Sequence, residues 1–300
     1  MRESWQERFA ETPDVLLDER RQRTCVPVLD FVVGGDEFII MAGPCSVENE
    51  RQLMATAHHV SSKGARILRG GAFKPRSSPY AFQGLGLEGL KLLAAARQET
   101  GLAIVTEVMT ESDVSLVAEY ADILQIGSRS MENYTLLEAA AQSGRAILLK
   151  RGMVATIADL LRSAQIISSS GNTHVILCER GIRTFETAMR NTFDAAGLAL
   201  LKQITHLPVI ADPSHAAGHR ELVPALARIG VAAGADGLLV EVHPNPDRAW
   251  SDGEQSLDFN EFDAMMTMLE PWIALREPSL QKEPMKQREY DELCPAEATR

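Results

Sequence analysis

Ala103-Ile-Val-Thr-Glu-Val-Met-Thr-Glu-Ser-Asp-Val-Ser-Leu-Val-Ala-Glu-Tyr-Ala-Asp-Ile-Leu-Gln-Ile126 decides the fold. An aliphatic run at 103–107 is too short for a helix. A helical segment follows from Glu111 to Tyr120, and a second aliphatic run occupies 123–126. Strand, helix, strand in that order is the signature of a parallel βαβ unit. The same unit recurs in both directions, with further strand-like runs at 38–42, 66–69, 146–150, 174–178, 208–212 and 237–241. Helical segments such as 221–230 lie between them, several ending near glycine. Eight strands alternating with helices close most simply into a single (β/α)8 TIM barrel. An open doubly wound sheet is the alternative, but no run is followed by the GxGxxG turn that a dinucleotide-binding version requires.

Outside the repeat, 28–38 reads as an apolar strand, a Gly-Gly turn and entry into the first barrel strand, a hairpin suited to plugging the barrel's bottom. The expected organisation is an N-terminal extension and hairpin at 1–35, a barrel at 36–275 and a polar tail at 276–300 without periodicity. Three hundred residues that are 45% hydrophobic suffice for one such domain. A net charge of −11 argues against a polyanionic partner, nucleic acid or anionic membrane, so any anion site must be local. The four cysteines form no CxxC pair, and the first residues lack the apolar core of a signal peptide. No apolar run approaches the ~20 residues that cross a bilayer. The expected location is the cytoplasm.

Barrel enzymes carry their reactive groups where strands end. At those points stand Cys45, Arg69, Lys74, Arg76, Glu107, Gln125, Arg129, Lys150, Arg180, His215 and Glu241, with Asp252 beyond the last strand. They sort into two sets. Cys45, His215, Glu241 and Asp252 offer one sulfur, one nitrogen and two oxygen donors, a mixture suited to Mn, Fe, Co or Zn rather than Mg or Ca. Singly, each has a plain reading, a small buried thiol for Cys45 or a satisfied loop histidine for His215. Their coincidence at one barrel mouth argues for a metal. The cations Arg69, Lys74, Arg76, Arg129, Lys150 and Arg180 repel one another unless a multiply charged anion arrives. Metal and anion grips together suggest a carbon–carbon bond-forming or bond-breaking enzyme acting on two anionic substrates, one of them carrying a carbonyl.

Seven segments resemble one family, the 3-deoxy-D-arabino-heptulosonate-7-phosphate (DAHP) synthases of the type I beta class, over roughly 28–275. They are Ala42-Gly-Pro-Cys-Ser-Val-Glu48, the run from Leu68 through Lys74-Pro-Arg-Ser77 to Gly84, Gln125-Ile-Gly-Ser-Arg129, Leu148-Leu-Lys-Arg-Gly152, Leu177-Cys-Glu-Arg-Gly181, Asp212-Pro-Ser-His215 and Ser251-Asp-Gly253. The resemblance implies a metal-dependent condensation of phosphoenolpyruvate with D-erythrose 4-phosphate and water, giving DAHP and phosphate at the entry to the shikimate pathway. By it, Cys45, His215, Glu241 and Asp252 hold one divalent ion, with Mn²⁺ placed ahead of Fe²⁺, Co²⁺ or Zn²⁺. Arg69, Lys74, Arg129, Lys150 and Arg180 hold phosphoenolpyruvate, with Gln125 and Ser128 beside it. Pro75, Arg76 and Ser77 take the aldose phosphate; Lys74, Glu107 and His215 take the catalytic roles.

The sister 3-deoxy-D-manno-octulosonate-8-phosphate synthases, which use arabinose 5-phosphate, carry Lys-Ala-Asn-Arg-Ser where this chain has Lys74-Pro75-Arg76. A barrel that has lost catalysis and serves as a binding subunit is the third reading, opposed by the intact cation cluster. A DAHP synthase of secondary metabolism is a variant of the first. Ser128, Ser130 and Glu132 depart from the family's Ala-Arg-Asn-Met-Gln-Asn, and Ser77 from its threonine. Glu132 and Ser130 are expected beside the phosphate pocket, where a carboxylate would weaken anion binding or face away. His219, His243 and Trp250 are expected to support the metal shell or its loop. A homo-oligomer, dimer or tetramer, is the expectation. Roughly 35 residues before the barrel are too few for a ferredoxin-like regulatory domain, so insensitivity of the chain alone to aromatic amino acids is expected, with a regulatory protein partner left open.

Overall fold

A computed structural model describes residues 4–19, 21–74, 80 and 82–276. Pro75, Arg76 and Ser77, and the expected tail beyond 276, lie outside the described residues. A short helix α1 (Trp5–Arg8) precedes the hairpin strands β1 (Val26–Val28) and β2 (Phe31–Val33). The barrel strands are β3 (Ile39–Gly43), β4 (Ile67–Arg69), β5 (Ala103–Val108), β6 (Ile123–Ile126), β7 (Ala146–Lys150), β8 (Val175–Glu179), β9 (Val209–Ala211) and β10 (Gly237–Glu241). All eight pair in parallel, and β10 pairs with both β3 and β9, which closes the barrel. Every expected run is a strand, and the open-sheet alternative is excluded.

Helices α2 (Glu50–Ser62), α3 (Leu87–Thr100), α4 (Val114–Tyr120), α5 (Tyr134–Gln142), α6 (Ile157–Ser169) and α7 (Ala195–Ile204) join successive strands. Between β9 and β10 come α8 (Pro213–Ala217) and α9 (Val223–Ala232), and α10 (Phe259–Ala274) follows the last strand. Among the described residues no helix is long and apolar enough to cross a membrane. Asp258, Thr156 and Asn49 cap α10, α6 and α2 by accepting from backbone N–H groups of the first turn, which satisfies donors that the helix itself leaves orphaned.

Two apolar layers result. Outward strand residues such as Leu68, Ile104, Leu124 and Val240 pack under the helices. Inward ones such as Met41, Val105, Leu148 and Ile176 fill the lumen, in one cluster with Val26, Val28, Phe31 and Val33 of the hairpin. The hairpin therefore plugs the end where the strands begin, as expected. Its turn is not the expected Gly-Gly. Val28 pairs with Phe31, so Leu29-Asp30 makes the reversal, with Leu29 in the left-handed region (φ 50°). Gly34 serves a different purpose: a Cβ there would lie 2.5 Å from the Thr24 carbonyl oxygen, so the glycine permits a close backbone approach between the chain leaving β2 and the segment that leads into β1.

Candidate active site

The strand ends bring buried charge to the opposite face. Arg69 ends β4 and Glu241 ends β10; Arg69 donates from Nη1 to the Glu241 carboxylate at 2.9 Å and to the Pro44 carbonyl at 2.7 Å. Lys150 ends β7 and donates to Asp212 Oδ2 at 2.6 Å. Asp212 also caps α8: Pro213 begins the helix, the His215 N–H donates to Asp212 Oδ1 at 3.0 Å, and Gly218 ends it in the left-handed region. This single turn aims the His215 ring inward, with Nδ1 2.8 Å from Asp212 Oδ2 and Nε2 3.5 Å from Glu241 Oε1. Burial lowers the His215 pKa, which favours the neutral ring whose Nε2 can donate an electron pair. Burial opposes ionisation of Asp212, but His215 and Lys150 outweigh it and hold the carboxyl well below its usual range.

Cys45, Glu241 and Asp252 offer ligand atoms that all lie within 4.8 Å of one another. The Cys45 thiol donates to Asp252 Oδ2 at 3.0 Å, and Lys74 Nζ donates to the Cys45 sulfur at 2.9 Å and to its carbonyl at 2.8 Å. Burial, then the nearby Glu241 charge, pushes the thiol up to about 12. His215, the fourth expected ligand, is not in that group of three; its Nε2 stands 3.5 Å from Glu241 Oε1. Two carboxylates, a neutral imidazole and a thiol that a bound cation would deprotonate fit a borderline divalent ion.

Around these groups a cavity is lined by Arg69, Lys74, Lys150, Arg180 and, from β5 and β6, Glu107 and Gln125. Glu107 and Gln125 are register partners on adjacent strands, and the Gln125 amide donates to Glu107 Oε2 at 3.3 Å. A Cβ at Gly127 would meet Glu107 Oε1 at 2.0 Å, so the glycine of Gln125-Ile-Gly leaves room for that carboxylate. Ser128 and Arg129 line the rim. Arg180 is 4% exposed, yet among the described residues its Nε and Nη1 have no hydrogen-bond partner, and burial lowers its pKa. The cation cluster is thus less repulsive than its sequence suggests, because Glu241 and Asp212 compensate Arg69 and Lys150. Arg180 lines the cavity and retains unpartnered buried donors among the described residues.

The geometry is matched by likeness to known proteins. The DAHP synthetase I family model matches residues 15–273. The chain belongs to that family. It is 52% identical over 239 residues to the phospho-2-dehydro-3-deoxyheptonate aldolase of Thermotoga maritima, covering 80% of this chain and 71% of that protein. A crystal structure of the Thermotoga DAHP synthase superposes with a TM-score of 0.83 at 48% identity, covering 86% of this chain and 75% of that one. A truncated form of the Thermotoga synthase gives 0.81 at 45%, covering 87% of this chain and 95% of that one. The 2-dehydro-3-deoxyphosphooctonate aldolase of Syntrophotalea carbinolica is more distant, 36% identical over 253 residues, covering 78% of this chain and 90% of that protein.

The motif departures are placed by the structure as well. Glu132 is exposed, and neither it nor Ser130 is among the residues that line the cavity. His243 lies 3.4 Å from Glu48, which also accepts from the Trp250 N–H at 2.7 Å, so Glu48 ties both to the segment leading to Asp252. Sequence reasoning missed four residues. Asp212 appeared there only as part of a motif; Arg183, Arg190 and Gln255 did not appear. Arg183 and Arg190 line the cavity from the β8–α7 connection, and Gln255 donates to Glu241 Oε2 at 2.6 Å. Two arginines on the connection that follows β8, after its end at Glu179, were the available signal.

Proposed function

We propose that this chain is a 3-deoxy-7-phosphoheptulonate synthase, condensing phosphoenolpyruvate with D-erythrose 4-phosphate and water to DAHP and phosphate. The observation that carries this reading is Arg180, a buried guanidinium with unpartnered donors, lining one cavity with His215 and Asp252. Such a group is stabilised by a bound phosphate or carboxylate, and two further cations, Lys150 and Arg69, stand by it. Cys45, His215, Glu241 and Asp252 would hold one divalent ion. The chemistry that ion supplies is polarisation of the aldehyde carbonyl.

The chain's own groups account for the rest. Arg180, Lys150 and Arg129 bind the phosphate of phosphoenolpyruvate and stabilise its charge throughout, which is electrostatic preorganisation. C3 of the enol forms the new carbon–carbon bond to the aldehyde carbon, leaving C2 electron-poor. Glu107, oriented by Gln125, positions water against C2 and takes its proton. The tetrahedral C2 then expels phosphate by C–O cleavage. Lys74, whose ammonium lies 2.9 Å from the Cys45 sulfur, lines the same cavity and completes the grip on phosphoenolpyruvate. Arg76 and Ser77 take the aldose phosphate.

The test strips the purified chain of metal, restores Mn²⁺ and follows phosphoenolpyruvate loss with either erythrose 4-phosphate or arabinose 5-phosphate. Consumption is expected with the four-carbon sugar, abolished by chelator and by Cys45→Ala. Consumption only with the five-carbon sugar moves the chain to the sister reaction; none with either favours a non-catalytic barrel.

A further inference from the structure

Arg190 stands 62 residues before Asp252 in sequence, on the connection between β8 and α7, and the fold brings them together. Its Nη1 donates to Asp252 Oδ1 at 3.3 Å and to Gln255 Oε1 at 2.6 Å. A guanidinium only donates and a carboxylate only accepts, so the Gln255 amide has one workable orientation. Its oxygen takes the Arg190 proton and its Nε2 donates to Glu241 Oε2, at 2.6 Å. Gln255 is 1% exposed and held in that path. One arginine therefore reaches both carboxylates of the quartet, Asp252 directly and Glu241 through one amide. Its neighbour Asn191 donates from Nδ2 to the His215 carbonyl at 2.9 Å, and the Asn191 N–H to Ala216 at 3.1 Å. Asp252 has φ 49° and ψ 36°, a left-handed backbone that a non-glycine residue keeps only when its surroundings impose it. The Cys45 thiol on one carboxylate oxygen and Arg190 on the other are two of those constraints. Gly218 makes the approach possible: a Cβ there would lie 2.5 Å from the Arg190 Cβ.

We propose that Arg190, acting through Gln255, is the positioning residue of the metal centre, holding Asp252 and Glu241 in register with Cys45 and His215 and thereby setting affinity for the ion. This rests on the reading that the quartet binds a divalent cation. The competing role is direct contact with a substrate anion, since Arg190 also lines the cavity.

Calorimetric titration of Mn²⁺ into the metal-stripped full chain separates the two. Groups that orient ligands typically contribute 10- to 100-fold to metal affinity, so Arg190→Ala is expected to weaken Mn²⁺ binding by roughly that factor. Gln255→Met should weaken it as well, and the double variant no more than Arg190→Ala alone, because the link from Arg190 to Glu241 runs through Gln255. Arg190→Lys, which keeps a cationic donor, should recover part of the loss. The Arg190 side chain is 41% exposed, so the thermal midpoint of metal-free Arg190→Ala should stay at the wild-type value. Wild-type Mn²⁺ affinity in Arg190→Ala with a raised KM for either substrate overturns the proposal in favour of substrate contact. A wild-type chain that binds no Mn²⁺, Co²⁺ or Zn²⁺ overturns the quartet itself, a failure distinguishable because it precedes any substitution.

Discussion

The two ends of this barrel solve opposite problems. At the plugged end, Val26, Val28, Phe31 and Val33 are buried with lumen residues such as Met41 and Ile176, and the hairpin contributes apolar surface alone. At the mouth, Arg69, Lys150, Arg180, Asp212 and Glu241 are each at most 4% exposed, charges that folding must desolvate. Arg69 and Lys150 have carboxylate partners, whereas Arg180 Nε and Nη1 have none among the described residues. Such uncompensated groups cost stability, and a fold retains that cost where a ligand or a reaction repays it. The plug and the mouth should accordingly respond to substitution in opposite ways.

The sharpest break would come from Arg180→Met, which deletes the buried charge and keeps its volume. Losing one preorganised anion donor typically costs about 10²–10³ in rate, and a drop in kcat/KM of that order is expected. Stability should hold or rise by about 1 kcal/mol, because replacing buried charge by apolar volume is often neutral or favourable. Steady-state kinetics and urea unfolding on the same preparation check both. A lowered unfolding midpoint would make Arg180 a structural residue.

Phe31→Ala tests the other end. Phe31 is 8% exposed and its ring lies 4.6 Å beneath the Arg66 guanidinium. Truncating a buried phenylalanine costs about 3–5 kcal/mol, and the urea midpoint should fall accordingly while kcat/KM per folded molecule stays within about threefold. Loss of turnover at an unchanged midpoint would couple plug to mouth.

The same contrast explains what the sequence made legible. Strands were readable because β-branched and aliphatic runs such as Ala146-Ile-Leu-Leu-Lys150 are local patterns, and a charged residue closing such a run marks the mouth. That logic found Arg69, Lys150 and Glu241. It could not find their partners. Asp212 lies 62 positions from Lys150, and Gln255 reaches Glu241 from a 3₁₀ turn (Gly253–Gln255) on a loop without periodicity. Neutralisation by a distant carboxylate leaves no trace in local spacing, so the cations read as more repulsive than they are. The hairpin turn failed for a related reason: Gly34-Gly35 is the stronger turn signal, but Val28 pairing with Phe31 puts the reversal at Leu29-Asp30. Packing of the valines into the lumen overrides turn propensity there.

The smallest expected effect also belongs to the plugged end, and it has a pH signature. His206, 8% exposed, lies 2.6 Å from the Thr24 hydroxyl at Nδ1 and 2.8 Å from the Asp14 carbonyl at Nε2. The carbonyl can only accept, so Nε2 carries the proton and Nδ1 takes the Thr24 hydroxyl, which makes the ring a neutral tie between the N-terminal segment and the approach to β9. Burial lowers its pKa, with the hydrogen bond to Asp14 opposing. The sign follows. The unfolded imidazole takes up its proton near pH 6.5, the folded one only at lower pH. The unfolded state then binds more protons, and stability falls as pH drops from about 6.5 through the folded pKa. Urea midpoints measured from pH 7.5 to 5.5 should decline, and the decline should be shallower in His206→Gln, which can hydrogen-bond but does not titrate. An equal slope in both would assign the acid sensitivity to the other buried imidazole, His215 of the mouth, whose pKa burial also lowers, and with it the first end of the barrel to fail.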